Sequence, residues 1–128
     1  MDILAGNLVW IQGPYPAGKY TDIKIFNKVL RNFLEPCERV EADEGYRGHP
    51  DKIECPGNDA NPAENGAMQG RVRARHEMLN GRLKNWGILS QVFRHHITRH
   101  GYAFRACAVV TQLTIENGEP LFGVEYED

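Results

Sequence analysis

A chain of 128 residues, 41% hydrophobic and 25% charged, has room for one domain with one modest core and has the composition of a globular protein. No apolar run approaches the ~20 residues a membrane span needs, and Met1-Asp2-Ile3-Leu4-Ala5-Gly6 lacks the basic and apolar regions of a signal peptide. The three cysteines Cys37, Cys55 and Cys107 are widely spaced with no C-x-x-C pair, which argues against a disulfide framework or zinc ribbon and for a reducing intracellular setting.

The opening has no capping or turn signal, so the chain is expected to begin in mid-fold. Leu8-Val9-Trp10-Ile11 is a short apolar run before Gly13-Pro14 and Pro16-Ala17-Gly18, the pattern of a buried strand running into a turn, with Tyr15 exposed between its prolines. Thr21 can cap a helix with Asp22 in its first turn. Ile23, Phe26, Leu30 and Phe33 recur at helical spacing through Leu34, and Pro36 prevents continuation. Arg39 to Asp43 reads as a second short strand ending at the loop Gly45-Tyr46-Arg47-Gly48. From His49 to Gly70 the chain is rich in Pro, Gly, Asn and acids, and a flexible connection over 49–70 is expected.

Helical patterning then takes over. Val72, Leu79, Leu83 and Trp86 line one stripe of a helix from about Arg71, with Gly87 near its end. A second helix is predicted over Ser90 to His100, broken by Gly101. A third, Tyr102 to Glu116, is expected to bury Ala106, Val109, Val110 and Leu113 and to stop at Gly118. Beyond a turn at Gly118–Phe122 the tail Val124-Glu125-Tyr126 is acidic. Cys107, Trp10 and Trp86 read as core or half-buried packing. His96 and His100 have the i, i+4 spacing of metal ligands but no third ligand beside them, so surface or phosphate-contacting roles are expected.

The net charge of −2 conceals a segregation of sign. Between Asn65 and Ile115 lie eight basic residues (Arg71, Arg73, Arg75, Arg82, Lys84, Arg94, Arg99 and Arg105) and a single acid, Glu77, whereas the rest of the chain carries sixteen acids against seven bases. Ordinary solvated faces mix both signs; near-exclusion of acids is the electrostatic footprint of polyanion contact. Two acids stand out by position. Asp43 ends a predicted strand, where a carboxylate is held rigidly beside an accessible loop, and Glu77 sits amid the basic helix. There Arg73, Asn80, Gly81 and Lys84 lie at −4, +3, +4 and +7 on its face. Carboxylates of this kind can share hard cations such as Mg²⁺ that polarise a phosphate and activate water. By spacing alone, Glu77 reads as a plain intrahelical ion-pair partner, the commoner role of an isolated Glu on an arginine-rich helix.

The string Glu41-Ala42-Asp43-Glu44-Gly45-Tyr46-Arg47-Gly48 resembles the A-D-x-G-Y segment that carries the second catalytic Asp of DDE superfamily endonucleases of the Harbinger-like transposase group. Arg75-His76-Glu77-Met78-Leu79-Asn80-Gly81-Arg82-Leu83-Lys84 resembles their R-x-x-E-x-x-N-x-x-x-K helix, with Glu77, Asn80 and Lys84 at the matching offsets. The thirty-three residues between Asp43 and Glu77 match the family's spacing. Val9-Trp10-Ile11-Gln12-Gly13-Pro14 and Gly18-Lys19-Tyr20-Thr21-Asp22 look like its G-P-x-P-x-G-x-x-x-D region, and Phe93-Arg94-His95 and Gln112 to Phe122 are similar too. Nearly the whole chain takes part.

The resemblance implies an α/β, ribonuclease H-like fold over residues 1–128, a two-metal site holding Mg²⁺ or Mn²⁺ at Asp43 and Glu77, and cleavage or transfer of DNA phosphodiesters. Asp22, an alternative family acid, is set aside here because a helix-opening role accounts for it. Arg73, Arg75, Asn80, Arg82, Lys84 and Arg94 are the implied DNA-contacting set. The family's first Asp lies on a strand upstream of the matched region, so the chain reads as a truncated domain lacking the first strands and inactive alone. It would then depend on a second chain or an N-terminal segment to pair the strands at Leu8 and Val40, because each buried unpaired backbone group costs roughly 1–3 kcal/mol. Two other readings follow from the same residues: a nuclease-derived DNA-binding protein without catalysis, and a helical protein-interaction module.

Overall fold

The computed structural model of the chain describes residues 1–2, 5–16, 18–55 and 62–123. The acidic tail from Val124 and residues 56–61 of the expected connection lie outside these. The architecture is mixed α/β. Helix α1 spans Asp22–Lys28, strand β1 Val40–Glu41, strand β2 Ile53–Glu54, and helices α2, α3 and α4 span Pro62–Lys84, Gly87–Ser90 and Ile97–Glu116. Two compact units are formed, Tyr15–Arg73 and Met1–Pro14 with Ala74–Asp128, the boundary falling within α2.

In the Tyr15–Arg73 unit, α1 begins with Thr21 in extended geometry, although the Thr21 side chain makes no capping bond. Instead of continuing through Leu34, the helix ends at Lys28, and Val29 leads into a 3-10 turn, Leu30–Phe33. That tighter winding brings Leu30 and Leu34 onto a small core of Phe26, Ile53 and Cys55, and leaves Phe33 65% exposed. Strand β1 forms where the sequence predicts one. Its partner β2 falls inside the stretch read as a loop: Val40 N–H donates to Lys52 O and Ala42 N–H to Glu54 O, both at 2.9 Å, and the strands run parallel. Ile53 and Cys55 are the buried residues that anchor it. Two apolar side chains in a Pro- and acid-rich context are too few for an alternation signal. Arg39 ties the pair together from outside, 3.0 Å from Glu54 and donating to Pro50 O at 2.7 Å.

Helix α2 starts at Pro62, well before Arg71, and so replaces much of the expected 49–70 loop. Proline, with its fixed φ and no N–H to satisfy, suits a first helical position. The interior glycines Gly66 and Gly70 hid these first turns from a reading by propensity. Val72, Leu79 and Leu83 are buried, as their spacing predicts, whereas Trp86 is half-exposed.

In the other unit, Leu79, Ile115 and Leu121 form the core, joined by Met1, Leu8 and Met78. The run Leu8–Ile11 forms no strand. Leu8 N–H donates to Gln112 Oε1 at 2.7 Å, so a side chain takes the place of a neighbouring strand, and Val9 is 64% exposed. Of the helix expected over Ser90–His100, the segment before Ile97 does not form: α3 stops at Ser90 and the chain is extended at Gln91, and only Ile97–His100 is helical, as the start of α4. Helix α4 starts only where the His96 side chain caps it by accepting from Thr98 N–H. Gly101 continues this helix rather than breaking it. Its purpose is space, since a Cβ there would lie 2.9 Å from Pro14 Cδ. Gly101→Ala, which in an open helix interior stabilises by about 1 kcal/mol, should therefore lower stability instead. A rise in the urea midpoint on this substitution would show that the segment around Pro14 yields freely.

The buried face of α4 is not the predicted one. Cys107, Ala108, Thr111 and Ile115 face inward, while Ala106, Val109, Val110 and Leu113 face solvent. Small residues let the backbone approach closely, and the Thr111 hydroxyl is satisfied there by accepting from Trp86 Nε1 at 3.0 Å. At the C-terminus, Gly118 adopts a φ of +116°, and Glu119 N–H closes onto Thr114 O at 3.0 Å.

Candidate functional site

The turn after β1 gathers two carboxylates. Asp43 Oδ1 accepts from Gly45 N–H at 2.9 Å, fixing the loop directly after the strand. A Cβ on Gly45 would lie 3.0 Å from a carboxylate oxygen of Asp22 and 3.1 Å from Asp43 Oδ1, so both acids border the same glycine. Asp22, at the start of α1, and Asp43, two residues past the end of β1, are therefore neighbours. The glycine of the A-D-x-G-Y string has a physical reason, because any side chain there would meet two anionic oxygens. Tyr46, next in the chain, feels both. Burial raises its phenol pKa above the ordinary value, and the charges of Asp22 and then Asp43 push it further. Asp22 and Asp43 are both exposed, so this anionic edge is open to solvent.

Glu77 belongs to the other unit, in the middle of α2. It is exposed, as are Asn80, Gly81 and Lys84 on the same face, while Arg73 is half-buried and donates from Nε to Gln69 O at 3.2 Å. Arg94 is exposed, following the half-buried Phe93. Two of the expected DNA-contacting cations are placed otherwise. Arg75 is only 2% exposed, lying beneath Gly6, where a Cβ would sit 2.9 Å from its Nη2. Arg82 is turned onto the chain that follows α4, donating to the carbonyls of Glu119 and Pro120. The cationic surface of α2 is thus carried by Arg71, Arg73 and Lys84. Arg75 lies three residues after Val72 and four before Leu79, on the buried stripe of α2, so the helical spacing held a sign of its burial that its charge masked.

No protein-family model, curated protein or solved structure matches this chain.

His96 and His100 make local contacts at the start of α4. His96 Nδ1 lies 2.9 Å from Thr98 Oγ1 at the α4 cap, and His100 packs edge-on against Phe93 with ring centroids 5.0 Å apart. Among the described residues no group of three or more His, Cys, Asp or Glu side chains is assembled, and no helix is long and apolar enough to cross a membrane. The donors at the β1 turn are nonetheless of a suitable kind. Two solvent-facing carboxylates beside one turn are hard oxygen ligands of the sort Mg²⁺ and Mn²⁺ accept while keeping water.

Proposed function

We propose that this chain is the C-terminal part of a DDE-type, transposase-like endonuclease domain with a ribonuclease H-like fold, acting on DNA phosphodiesters with Mg²⁺ or Mn²⁺. The observation that carries the reading is the pairing of Asp22 and Asp43 around Gly45 at the end of a parallel strand, in the A-D-x-G-Y string that first pointed to the family. Asp43 serves as a metal-holding acid, with Asp22 beside it adding negative charge. Glu77 is the second acid implied by the resemblance, on a helix whose exposed cations suit a phosphate backbone. Lys84 and Arg94 neutralise phosphates, and Asn80 offers an amide to the same backbone. When bound, the divalent cations supply Lewis-acid polarisation of the scissile phosphate and a more acidic water.

Metal-dependent stabilisation tests this directly, with Mn²⁺ as the probe. Binding to the native state at 100 times the dissociation constant adds about 2.7 kcal/mol, so the melting temperature should rise with Mn²⁺. Asp43→Asn and Glu77→Gln, both at exposed positions where folding tolerates the change, should each remove most of that rise. Should the wild-type chain melt at the same temperature with and without millimolar Mn²⁺ or Mg²⁺, the two-metal reading is lost. DNA binding that survives both substitutions and ignores the metal would favour a binding protein without catalysis.

A further inference from the structure

The solvent-facing side of α4 carries an unassigned apolar seam. Tyr102, Val109 and Leu113 are 72%, 59% and 49% exposed, and Ala106 is exposed between them. Their spacing of four, three and four residues is that of alternating core positions in a coiled coil, so the four side chains form one stripe on a helix that is buried on its opposite face. The seam is closed by charge at each end, Arg99 one step before Tyr102 and Glu116 one step after Leu113 in the same repeat, both exposed.

We infer that this face pairs with the same face of a second copy of the chain, the two α4 helices running antiparallel. The argument rests on complementarity of both charge and size. In an antiparallel pairing centred between Ala106 and Val109, Arg99 of one copy lies level with Glu116 of the other, at both ends of the contact. Tyr102 lies level with Leu113, and Ala106 with Val109, so each large residue meets a smaller one through the whole seam. Parallel pairing would instead set Arg99 against Arg99 and Glu116 against Glu116. Two-fold symmetry makes the antiparallel contact isologous, so one self-complementary stripe suffices and the assembly closes at two. Beside Leu113 the helix borders an open groove of about 290 Å³ lined by Val110, Leu113, Thr114, Asn117 and Glu119. Its apolar residues Val110 and Leu113 and its polar residues Thr114, Asn117 and Glu119 suit the ring and hydroxyl of Tyr102 from the second copy. The helices would touch over roughly 25 Å at 1.5 Å per residue, a contact at the small end of specific interfaces, so a reversible dimer in the micromolar range is expected. This inference is independent of the DNA reading.

Sedimentation equilibrium of the whole chain tests it. The weight-average mass should rise with concentration from the 14.5 kDa of one chain toward twice that value. Arg99→Glu and Glu116→Arg should each weaken association at least tenfold by setting like charges together at both ends, and the double exchange R99E/E116R should restore it. Val109→Lys should give a monomer with unchanged helical circular dichroism. Recovery in the double exchange excludes misfolding as the cause of the single-variant losses. A folded wild type that stays at one chain's mass up to millimolar concentration overturns the proposal, as does a dimer indifferent to Val109→Lys or to the single charge reversals.

Discussion

Arg75→Ala is expected to destabilise the protein by about 3 kcal/mol, the scale of truncating a large buried side chain or uncovering a buried polar network. Arg75 is 2% exposed, and its guanidinium fills the space under Gly6, whose φ of +77° and absent Cβ let the backbone come that close. Truncation leaves a cavity, removes the support of the Asp2–Asn7 turn in which Asp2 N–H donates to Asn7 O at 2.9 Å, and strips a charge from any buried group it compensates. In a domain of this size the loss corresponds to a fall of roughly 10 °C in melting temperature. Alanine at the exposed Arg71 or Lys84, in contrast, should stay within about 0.5 kcal/mol. Arg75→Met separates the causes: it keeps most of the volume but not the charge, so a loss as large as alanine's assigns the stability to polar bonding, and a small loss assigns it to packing. Urea denaturation of the four variants supplies the comparison. If alanine at Arg75 cost no more than at Lys84, its burial would have no energetic meaning.

Replacing Arg73, Lys84 and Arg94 together by alanine should reduce affinity for duplex DNA by two to three orders of magnitude near 0.1 M salt, on the DNA-handling reading proposed above. Each phosphate neutralised releases counterion, and the slope of log affinity on log salt is about −0.9 per contact. Three lost contacts should therefore flatten the slope by nearly three. The three cations suit this comparison because Lys84 and Arg94 are exposed and Arg73 is half-buried, so the fold should survive the change. Arg82 is a poor choice, being occupied by the carbonyls of Glu119 and Pro120. Fluorescence anisotropy across a salt series provides both quantities. A triple variant with unaltered slope and affinity would place DNA contact elsewhere or nowhere on the chain, and a wild type without DNA affinity at low salt would leave the basic stretch as a solvated surface.

The sequence was most legible where a single helix or a charge pattern carried the information. The stripe Val72, Leu79 and Leu83 is buried as its spacing demands, the strand at Val40 forms, Cys107 is in the core, and Gly118 ends α4. The exposure of Glu77, Asn80 and Lys84 also follows from that stripe, since residues opposite a buried face have nowhere else to point. These are local consequences of the 3.6-residue period and of backbone permission at one glycine, and need no knowledge of what packs against the element.

Tertiary structure alone decided the rest. Helix α4 has two apolar stripes, and only its neighbours select the one with Ala108, Thr111 and Ile115: Leu79 and Leu121 pack on Ile115, and Trp86 Nε1 donates to the Thr111 hydroxyl. Strand β2 exists because β1 is there to pair with it, and the run at Leu8 is no strand because a glutamine side chain meets its backbone first. The nearness of Asp22 to Asp43 and the burial of Arg75 under Gly6 join residues far apart in the chain. Periodicity says which side chains share a face, but the covering of that face is a long-range choice, made by the shape and hydrogen-bonding groups of segments the local pattern cannot see.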